Sequence, residues 1–188
     1  EIFPAIKKSA GEQILNIENL NITGDNAVNN ASINVCRGEV VGLAGLVGSG
    51  KSSIGRACFG LEQIVEGKIT YDGDVVFDRA ARVNKLGPRP MLDRGLYYLP
   101  SNRRAEGLVM LQNVRENLSL ASLLLPTFSN MLFLKKRSER AEAKKVARRL
   151  DLNPPNIERN LEHFSGGNQQ KAIIAKWIAH EPRILILD

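Results

Sequence analysis

The chain has 188 residues, of which 43% are hydrophobic and 24% charged, so it can bury one substantial core and its composition is neither disordered nor fibrous. Its formal net charge of +6 permits an anionic partner without selecting one. The two cysteines, Cys36 and Cys58, stand singly with no CxxC pair, which argues against a disulfide framework or a cysteine-ligated metal.

Both ends of the sequence suggest a fragment. The first residue is Glu1 rather than Met, and the last, Asp188, directly follows an Ile-Leu-Ile-Leu run. The opening segment lacks the apolar core of a signal peptide, and the apolar stretch at residues 118–125 is far shorter than the roughly 20 residues of a membrane-spanning helix. We therefore expect that this sequence is a piece of a longer protein and that the piece contains no membrane-spanning helix.

The first part of the chain predicts a linker followed by strands. Residues 1–12 mix proline, glycine and charges and are typical of a linker. Loose apolar alternation over residues 13–21 predicts a half-buried strand, and residues 31–35 predict a second. The continuous apolar run VVGLAGL at residues 40–46 predicts a strand buried on both faces.

A hairpin and a further short strand are predicted next. The segment GKITYDGDVVF, residues 67–77, has the pattern of a β-hairpin turning at Asp72-Gly73. The apolar segment GLYYL at residues 95–99 predicts another short buried strand.

The rest of the chain predicts helices and one returning strand. Asn113 is a plausible cap for a helix over residues 114–125, and the charged stretch 137–150 predicts an exposed amphipathic helix. A helix over about 166–180 precedes a final buried strand, RILIL, at 183–187. Early strands, a helical middle and a returning parallel strand indicate an α/β architecture with inserted subdomains.

A complete phosphate-binding motif follows the third predicted strand. Residues 45–52 read Gly-Leu-Val-Gly-Ser-Gly-Lys-Ser and match GxxxxGK[ST]. The glycines let backbone N–H groups point at phosphate oxygens, and the following helix adds its positive N-terminal end. The lysine can reach the β- and γ-phosphates, and the next hydroxyl can ligate Mg²⁺. We predict a nucleotide site rather than an incidental glycine-rich turn.

A second helix start near the end of the chain has the features of an anion site. Ser165 is a natural N-cap, and Gly166 and Gly167 leave the first N–H groups uncovered. Two such sites on one chain make sense if each completes a nucleotide pocket on a partner domain. The alternative is that the serine and glycines merely cap a helix.

These motifs resemble those of a known family. SGGNQQK resembles the signature motif of ABC ATPases in the variant typical of monosaccharide importers, and RILILD resembles their Walker B strand. The resemblance runs from residue 13 to the end and is strongest to the second nucleotide-binding domain of tandem ATPase subunits for ribose, galactose or xylose uptake. It implies an α/β P-loop NTPase fold over residues 13–188, with an N-terminal antiparallel β subdomain and a helical subdomain at about 100–165, truncated at the Walker B strand. Residues 1–12 resemble the linker between the two halves.

The resemblance also implies roles for individual residues. Those expected to bind ATP on the same chain are Gly45, Gly48, Ser49, Gly50, Lys51, Ser52 and Ser53, with Lys51 as the catalytic cation. Those expected to grip the γ-phosphate of ATP on the opposing domain are Ser165, Gly166, Gly167, Asn168 and Gln169. Ser52 and Asp188 would hold Mg²⁺.

The implied function is ATP binding and hydrolysis that powers monosaccharide import. The implied partners are a second nucleotide-binding domain and transmembrane permease subunits, with a solute-binding protein acting indirectly and no nucleic acid. The implied location is the cytoplasmic face of the cell (inner) membrane, as a peripheral subunit.

Several positions depart from the family pattern. The catalytic glutamate would follow Asp188, so we expect little or no ATPase activity from this chain by itself. Neither His163 nor His180 is the family's switch histidine. Ser101-Asn102 occupies the Q-loop position, where Gln or Glu-Asp is usual, and residues 13–44 contain no aromatic side chain to stack on adenine, which indicates weaker nucleotide affinity.

The sequence leaves two alternatives to an ATPase that powers sugar import. A regulatory half that binds ATP without hydrolysing it is motivated by Ser101-Asn102. An ABC ATPase of DNA repair is disfavoured because the segment between Lys51 and Ser165 has no sustained heptads.

Three weaker features remain. The basic residues around 135–137 and 144–149 predict a solvated helix face, with permease loops or anionic lipid as the other possible contacts. Arg103 and Arg104 could approach phosphate, but the sequence does not decide this. Trp177 and Cys58 are predicted to lie in the core.

Overall fold

The structure is a computed structural model that describes residues 11–120, 129–130, 133–178 and 180–188. The chain divides into two compact units, Glu1–Asp93 and Arg94–Asp188. Most of the predicted linker, residues 1–10, lies outside the described residues, as does the second half of the helix predicted at 114–125.

The first unit is built on an antiparallel sheet of five strands in the spatial order β2-β1-β3-β4-β5. The strands are β1 (Gln13–Ile22), β2 (Val28–Cys36), β3 (Ile64–Tyr71), β4 (Asp74–Asp78) and β5 (Val83–Asn84). Two helices accompany the sheet, α1 (Lys51–Cys58) and α2 (Pro88–Asp93). The predicted antiparallel β subdomain is therefore present.

Local sequence determines most of this sheet. Ile69 and Tyr71 of β3 are almost completely buried, as alternation predicts, and Ile17 and Leu20 of β1 are both buried across an irregularity in the β1 register. The hairpin turn lies where it was predicted, at Asp72-Gly73, and both residues have positive φ, 50° and 79°. Such a pair suits a two-residue hairpin because its twist matches that of the flanking strands.

The prediction of a buried strand at residues 40–46 is wrong in this structure. These residues belong to no strand, and the side chains of Val40 and Leu46 are each 85% exposed. An apolar run becomes a buried parallel strand only where neighbouring strands offer a matching ladder. The described part of the first unit offers only antiparallel strands, and none of them pairs with this segment.

This exposed apolar segment leads us to expect self-association of the chain. Val40, Leu46 and Val47 are 85%, 85% and 101% exposed, and contiguous exposed apolar surface favours association. In light scattering, the average mass should rise with protein concentration, and the double substitution Val40→Ser and Val47→Ser should suppress the rise. Leu111→Ser removes a single side chain, 74% exposed, from the other unit and serves as the control. A constant monomer mass at high concentration would contradict the expectation.

The second unit combines two parallel strands with helices. Its elements in chain order are β6 (Leu96–Leu99), a π-helical turn (Arg103–Gly107), α3 (Val114–Ser119), β7 (Ser129–Asn130), β8 (Phe133–Leu134), α4 (Lys136–Arg149), a 3₁₀ turn (Leu161–His163), α5 (Gly166–Ile178) and β9 (Ile184–Leu187). Among the described residues, β6 and β9 pair in parallel and β7 and β8 pair antiparallel. The predicted returning parallel strand is confirmed.

The two parallel strands differ in burial. All four residues of β6 are buried, whereas β9 is only half-buried and Leu187 is 65% exposed. The prediction that β9 is buried is therefore only partly correct. Trp177 of α5 is buried, as predicted, and its ring lies 5.0 Å from that of Tyr97 in β6.

Capping chemistry explains where α3 begins. The side chain of Asn113 accepts a hydrogen bond from the backbone N–H of Glu116 (2.9 Å), and the Glu116 carboxylate accepts one from the Asn113 backbone N–H (3.3 Å). This reciprocal arrangement satisfies two N–H groups that have no partner within the helix. The predicted cap at Asn113 is confirmed, and the described helix reaches Ser119.

Candidate nucleotide-binding site

The phosphate-binding loop packs against the turn between β1 and β2. A side chain on Gly50, which has φ of 79°, would lie 2.6 Å from Val28 Cγ2 and 2.9 Å from the Ala27 carbonyl oxygen. A side chain on Gly45 would lie 2.5 Å from Ser49 Oγ. Position 50 therefore requires glycine, because its positive φ and its close approach to backbone exclude a Cβ, whereas the contact at Gly45 is with the side chain of Ser49.

Lys51 lies across this loop as its cation. Its Nζ donates to the carbonyl oxygens of Gly45 (3.4 Å) and Leu46 (3.3 Å), so the side chain folds back over the turn. Among the described residues no carboxylate pairs with Lys51, which leaves the charge available to an anion. The helix α1 begins at Lys51, so its N-terminal N–H groups face the same loop and add to the attraction.

The two serines after Lys51 differ in burial. Ser53 is buried and its hydroxyl donates to the Asn26 carbonyl oxygen at 3.0 Å. This bond anchors α1 to the β1–β2 turn, and the binding of nucleotide by Ser53 stays a prediction. Ser52 is half-buried at the first turn of α1.

The second motif forms the start of α5 in the other unit. The helix begins at Gly166, and Ser165 Oγ accepts from the backbone N–H of Asn168 (3.5 Å) and from its side-chain Nδ2 (3.0 Å). Ser165 is therefore the N-cap that the sequence predicts. A side chain on Gly167 would meet no atom within 4 Å, so the helix start is open on that side.

The Gln169 side chain ties the start of α5 to the preceding 3₁₀ turn. It is buried, and its Nε2 donates to the carbonyl oxygens of Leu161 (3.2 Å) and Phe164 (3.0 Å). These bonds help to fix the position of the helix start. Contact of Gln169 with the nucleotide of an opposing domain stays a prediction.

Asp188 follows β9 directly. Its backbone N–H donates to the Leu99 carbonyl oxygen at 3.0 Å, and its carboxylate accepts from the Tyr98 hydroxyl at 2.8 Å. The carboxylate therefore lies at the C-terminal end of the parallel strand pair. In open α/β sheets this end of the strands is where ligands bind.

A family model now decides between the possible P-loop proteins. The model described as ABC transporter matches residues 28–188, which include both the phosphate loop and the α5 motif. The chain belongs to the ABC transporter family.

Curated members of the ABC transporter family cover the whole chain. It is 33% identical to the putative ribose/galactose/methyl galactoside import ATP-binding protein 1 of Rhizobium etli, 34% identical to the ribose import ATP-binding protein RbsA of Oceanobacillus iheyensis, and 36% identical to the RbsA of Clostridium tetani. Each alignment covers 100% of this chain but only 34%, 36% and 35% of the relative. The chain thus spans about a third of the length of these relatives.

Solved structures agree on the fold. A nucleotide-free ATP-binding cassette from an ABC transporter matches with a TM-score of 0.71 and 21% identity, covering 94% of this chain and 69% of that one. A dimeric cassette in a post-hydrolysis state with ADP and Pi matches with a TM-score of 0.72 and 21% identity, covering 93% of this chain and 73% of that one. The P-loop NTPase fold of an ABC nucleotide-binding domain is therefore established.

Arg103 lies beside the start of α5. The sequence did not decide whether this arginine approaches phosphate. Its Nη2 would lie 3.0 Å from a side chain on Gly166, and its Nε donates to Gln169 Oε1 at 3.5 Å. No carboxylate among the described residues pairs with Arg103, although a cation at a helix N-terminus is unfavourable without an anion. The sequence shows two adjacent arginines at 103–104, but they are far along the chain from Ser165. Their spacing therefore does not predict that Arg103 lies close to the start of α5.

The remaining departures from the ABC pattern have local explanations. Asn102, at the Q-loop position, caps the π-helical turn by accepting from the Ala105 backbone N–H at 3.2 Å. His180 packs 5.7 Å from the Tyr97 ring, and burial together with the nearby Lys176 charge lowers its pKa. His163 is 59% exposed beside Glu162.

None of the helices among the described residues is both long and apolar enough to cross a bilayer.

The oxygen donors assigned to Mg²⁺ suit that ion. Magnesium prefers hard oxygen ligands and is usually held by one or two protein groups together with substrate phosphates. Ser52 and Asp188 supply a hydroxyl and a carboxylate, and the described residues contain no group of three or more acidic, histidine or cysteine side chains that could form a cage. Each of these oxygen donors is of a kind that suits an ion also ligated by nucleotide phosphates.

Proposed function

We propose that this chain is the ATP-binding and hydrolysing domain of a transporter that imports monosaccharides. The observation that carries the proposal is the position of Lys51, whose Nζ is held over a glycine-shaped loop by the carbonyl oxygens of Gly45 and Leu46. The substrate class is supported by relatives named as ribose or ribose/galactose/methyl galactoside import ATP-binding proteins.

The proposed chemistry is binding by charge and backbone donors. Lys51 exchanges its two carbonyl contacts for oxygens of the β- and γ-phosphates, while N–H groups of Gly48–Ser52 surround the same phosphates. Ser52 and Asp188 would hold Mg²⁺, which would supply neutralisation of phosphate charge. Hydrolysis then needs a water positioned against the γ-phosphate, and this chain contributes electrostatic stabilisation of the phosphoryl group.

The start of α5 is proposed to act on a nucleotide held by another domain. The N–H groups at the helix start and the nearby Arg103 guanidinium give this helix end a positive potential, and the helix is open beside Gly167. The partners are a second nucleotide-binding domain and permease subunits, with a solute-binding protein acting indirectly. The location is the cytoplasmic face of the cell membrane.

Uptake by the organism that carries the gene tests the proposal. Chromosomal Lys51→Ala and, separately, Ser165→Arg should each lower the uptake of radiolabelled ribose, galactose or xylose by at least about tenfold. The first removes the cation of the phosphate loop, and the second obstructs the start of α5 that is proposed to contact the nucleotide of the other domain. Lys85→Ala removes an exposed lysine from the same unit as Lys51 and should leave uptake unchanged. If both variants with broken sites keep normal uptake of all three sugars, import of these monosaccharides is not the function.

A second candidate is a domain that binds ATP and regulates the transporter without hydrolysing ATP. It is favoured by Asn102, whose side chain caps a local turn at a position where the family usually has a glutamine or a glutamate. Phosphate release by the full-length protein distinguishes the two: loss of release after Lys51→Ala supports hydrolysis at this site, whereas unchanged release supports regulation.

A further inference from the structure

One exposed face of α4 carries a row of cations that nucleotide binding does not use. The helix buries Glu139, Ala143, Val146 and Ala147. Opposite this face lie Arg137, Lys144 and Arg148, all exposed and spaced at i, i+7 and i+11, which places them on one side of the helix. We call these three residues the α4 stripe, and at 1.5 Å per residue it is about 16 Å long.

The charges of the α4 stripe are not neutralised within the described residues. Neighbouring cations of the same helix are paired, Arg140 with Glu158 at 2.9 Å and Lys145 with Glu142 at 3.1 Å. No described carboxylate pairs with Arg137, Lys144 or Arg148. Acidic partners are therefore confined to the flanks of the helix, and its outermost line is left purely positive.

The chemistry of this face selects the class of partner. Centres of protein–protein interfaces are enriched in aromatic residues, Met and Arg and depleted of Lys, so an arginine-bearing interface also needs apolar anchors, and single-stranded nucleic acid needs aromatic side chains for stacking. Among the described residues, α4 contributes no exposed large hydrophobic side chain, and the residue between the cations of the stripe is Ala141. An anionic lipid surface, in contrast, attracts each Lys or Arg that comes near it by about 1 kcal/mol, without apolar or aromatic anchors.

We propose that the α4 stripe binds directly to anionic lipid headgroups of a membrane surface. The contact is electrostatic, so it depends on the fraction of anionic lipid and weakens as salt screens the charges. It goes beyond the proposed function, because it requires neither ATP nor a permease and would hold for a protein that fails to bind nucleotide.

Flotation with lipid vesicles tests this contact. The full chain is mixed at low ionic strength with vesicles of phosphatidylcholine, or of phosphatidylcholine with about one-third phosphatidylglycerol, and centrifuged through a density gradient. The protein should float only with the anionic vesicles. In the triple variant Arg137→Gln, Lys144→Gln and Arg148→Gln, the partition coefficient should fall by about 100-fold, since each cation near an anionic surface contributes about fivefold.

A matched variant controls for net charge. Arg79→Gln, Arg82→Gln and Lys85→Gln remove three exposed cations from the first unit, and their effect on partitioning should be small. Glutamine favours helix, so circular dichroism should show the same helix content in the triple variant of the stripe as in the parent. The single substitution Lys144→Gln, with an expected fivefold loss, replaces the triple variant if that protein does not fold.

Three outcomes would overturn the proposal. The first is that the unmodified chain does not float with anionic vesicles at low salt. The second is that the control variant loses as much binding as the variant of the stripe. The third is retention on immobilised poly-glutamate through the stripe without vesicle binding, which would assign the face to an acidic protein partner. Flotation that is lost with the stripe and kept in the control supports direct lipid contact.

Discussion

Replacing Lys51 with alanine is expected to weaken binding of MgATP to the isolated chain by about 100-fold. The Lys51 ammonium group lies over the phosphate loop, where the carbonyl oxygens of Gly45 and Leu46 accept from it at 3.4 and 3.3 Å. Removing one partner of a hydrogen-bonded charge pair costs about 3 kcal/mol, which corresponds to this factor. Titration calorimetry or displacement of a fluorescent ATP analogue measures the change.

The dependence on phosphate number makes the Lys51 test specific. Because this lysine would contact the β- and γ-phosphates, ATP and ADP should lose affinity in Lys51→Ala, whereas the weak binding of AMP should hardly change. Lys85→Ala is the control for loss of a positive charge in the same unit. A second variant, Gly50→Ala, should also weaken binding, because its side chain would lie 2.6 Å from Val28. Equal affinity of Lys51→Ala and parent for ATP would contradict the assigned site.

The second large effect concerns a buried ion pair in the other unit. Arg115 of α3 donates to the Glu139 carboxylate of α4 at 2.8 Å, and Ser119 Oγ donates to the same carboxylate at 2.7 Å. The Glu139 side chain is only 3% exposed. Arg115→Leu would leave this carboxylate buried without its cation, and we expect a loss of about 3–5 kcal/mol in the free energy of unfolding. Urea unfolding followed by the fluorescence of Trp177, the single tryptophan, reports on this unit.

The double variant distinguishes the buried charge from lost packing. Arg115→Leu combined with Glu139→Leu removes both charges and should recover much of the stability, since two apolar side chains leave no unpaired ion. The exposed pair Arg89–Asp93, with side chains 62% and 59% exposed, is the control. Arg89→Leu should cost less than about 1 kcal/mol. If the double variant is no more stable than Arg115→Leu, the pair does not act as proposed.

The same network gives a dependence on pH. Partial desolvation of Glu158 is outweighed by hydrogen bonds and charge from Arg115 and Arg140, which lower the pKa of Glu158 below its ordinary value. A lowered pKa in the folded state adds stability that is present at neutral pH and is lost as the pH falls through that pKa. Arg115→Leu removes part of this stabilisation, so the difference in stability between parent and variant should narrow in acid.

Motifs that act through neighbouring residues could be predicted from the sequence. The hairpin at Asp72-Gly73, the cap at Asn113 and the cap at Ser165 all lie where they were predicted. Each depends on backbone angles or hydrogen bonds within four residues, so the local sequence contains all of the relevant interactions. The glycine-lysine loop at 45–52 belongs to the same class, because its glycines shape the backbone that surrounds Lys51.

Features that depend on distant parts of the chain were decided only by the tertiary structure. The apolar run at 40–46 was expected to be buried, but pairing partners rather than hydrophobicity determine whether a strand forms. The side chains of Ser53 and Gln169 anchor helices through the carbonyl oxygens of Asn26 and Leu161, partners that no motif reveals.

Arg103 is a residue whose contacts the sequence did not predict and the fold creates. The sequence places it far from Gly166, and the fold brings its guanidinium to the start of α5. The sequence by itself therefore determined the phosphate loop, the capped α5 start and the family, since each depends on a short contiguous segment of residues. Which side chains complete or support those segments was decided by long-range packing, because burial and hydrogen-bond partners exist only once the chain has folded.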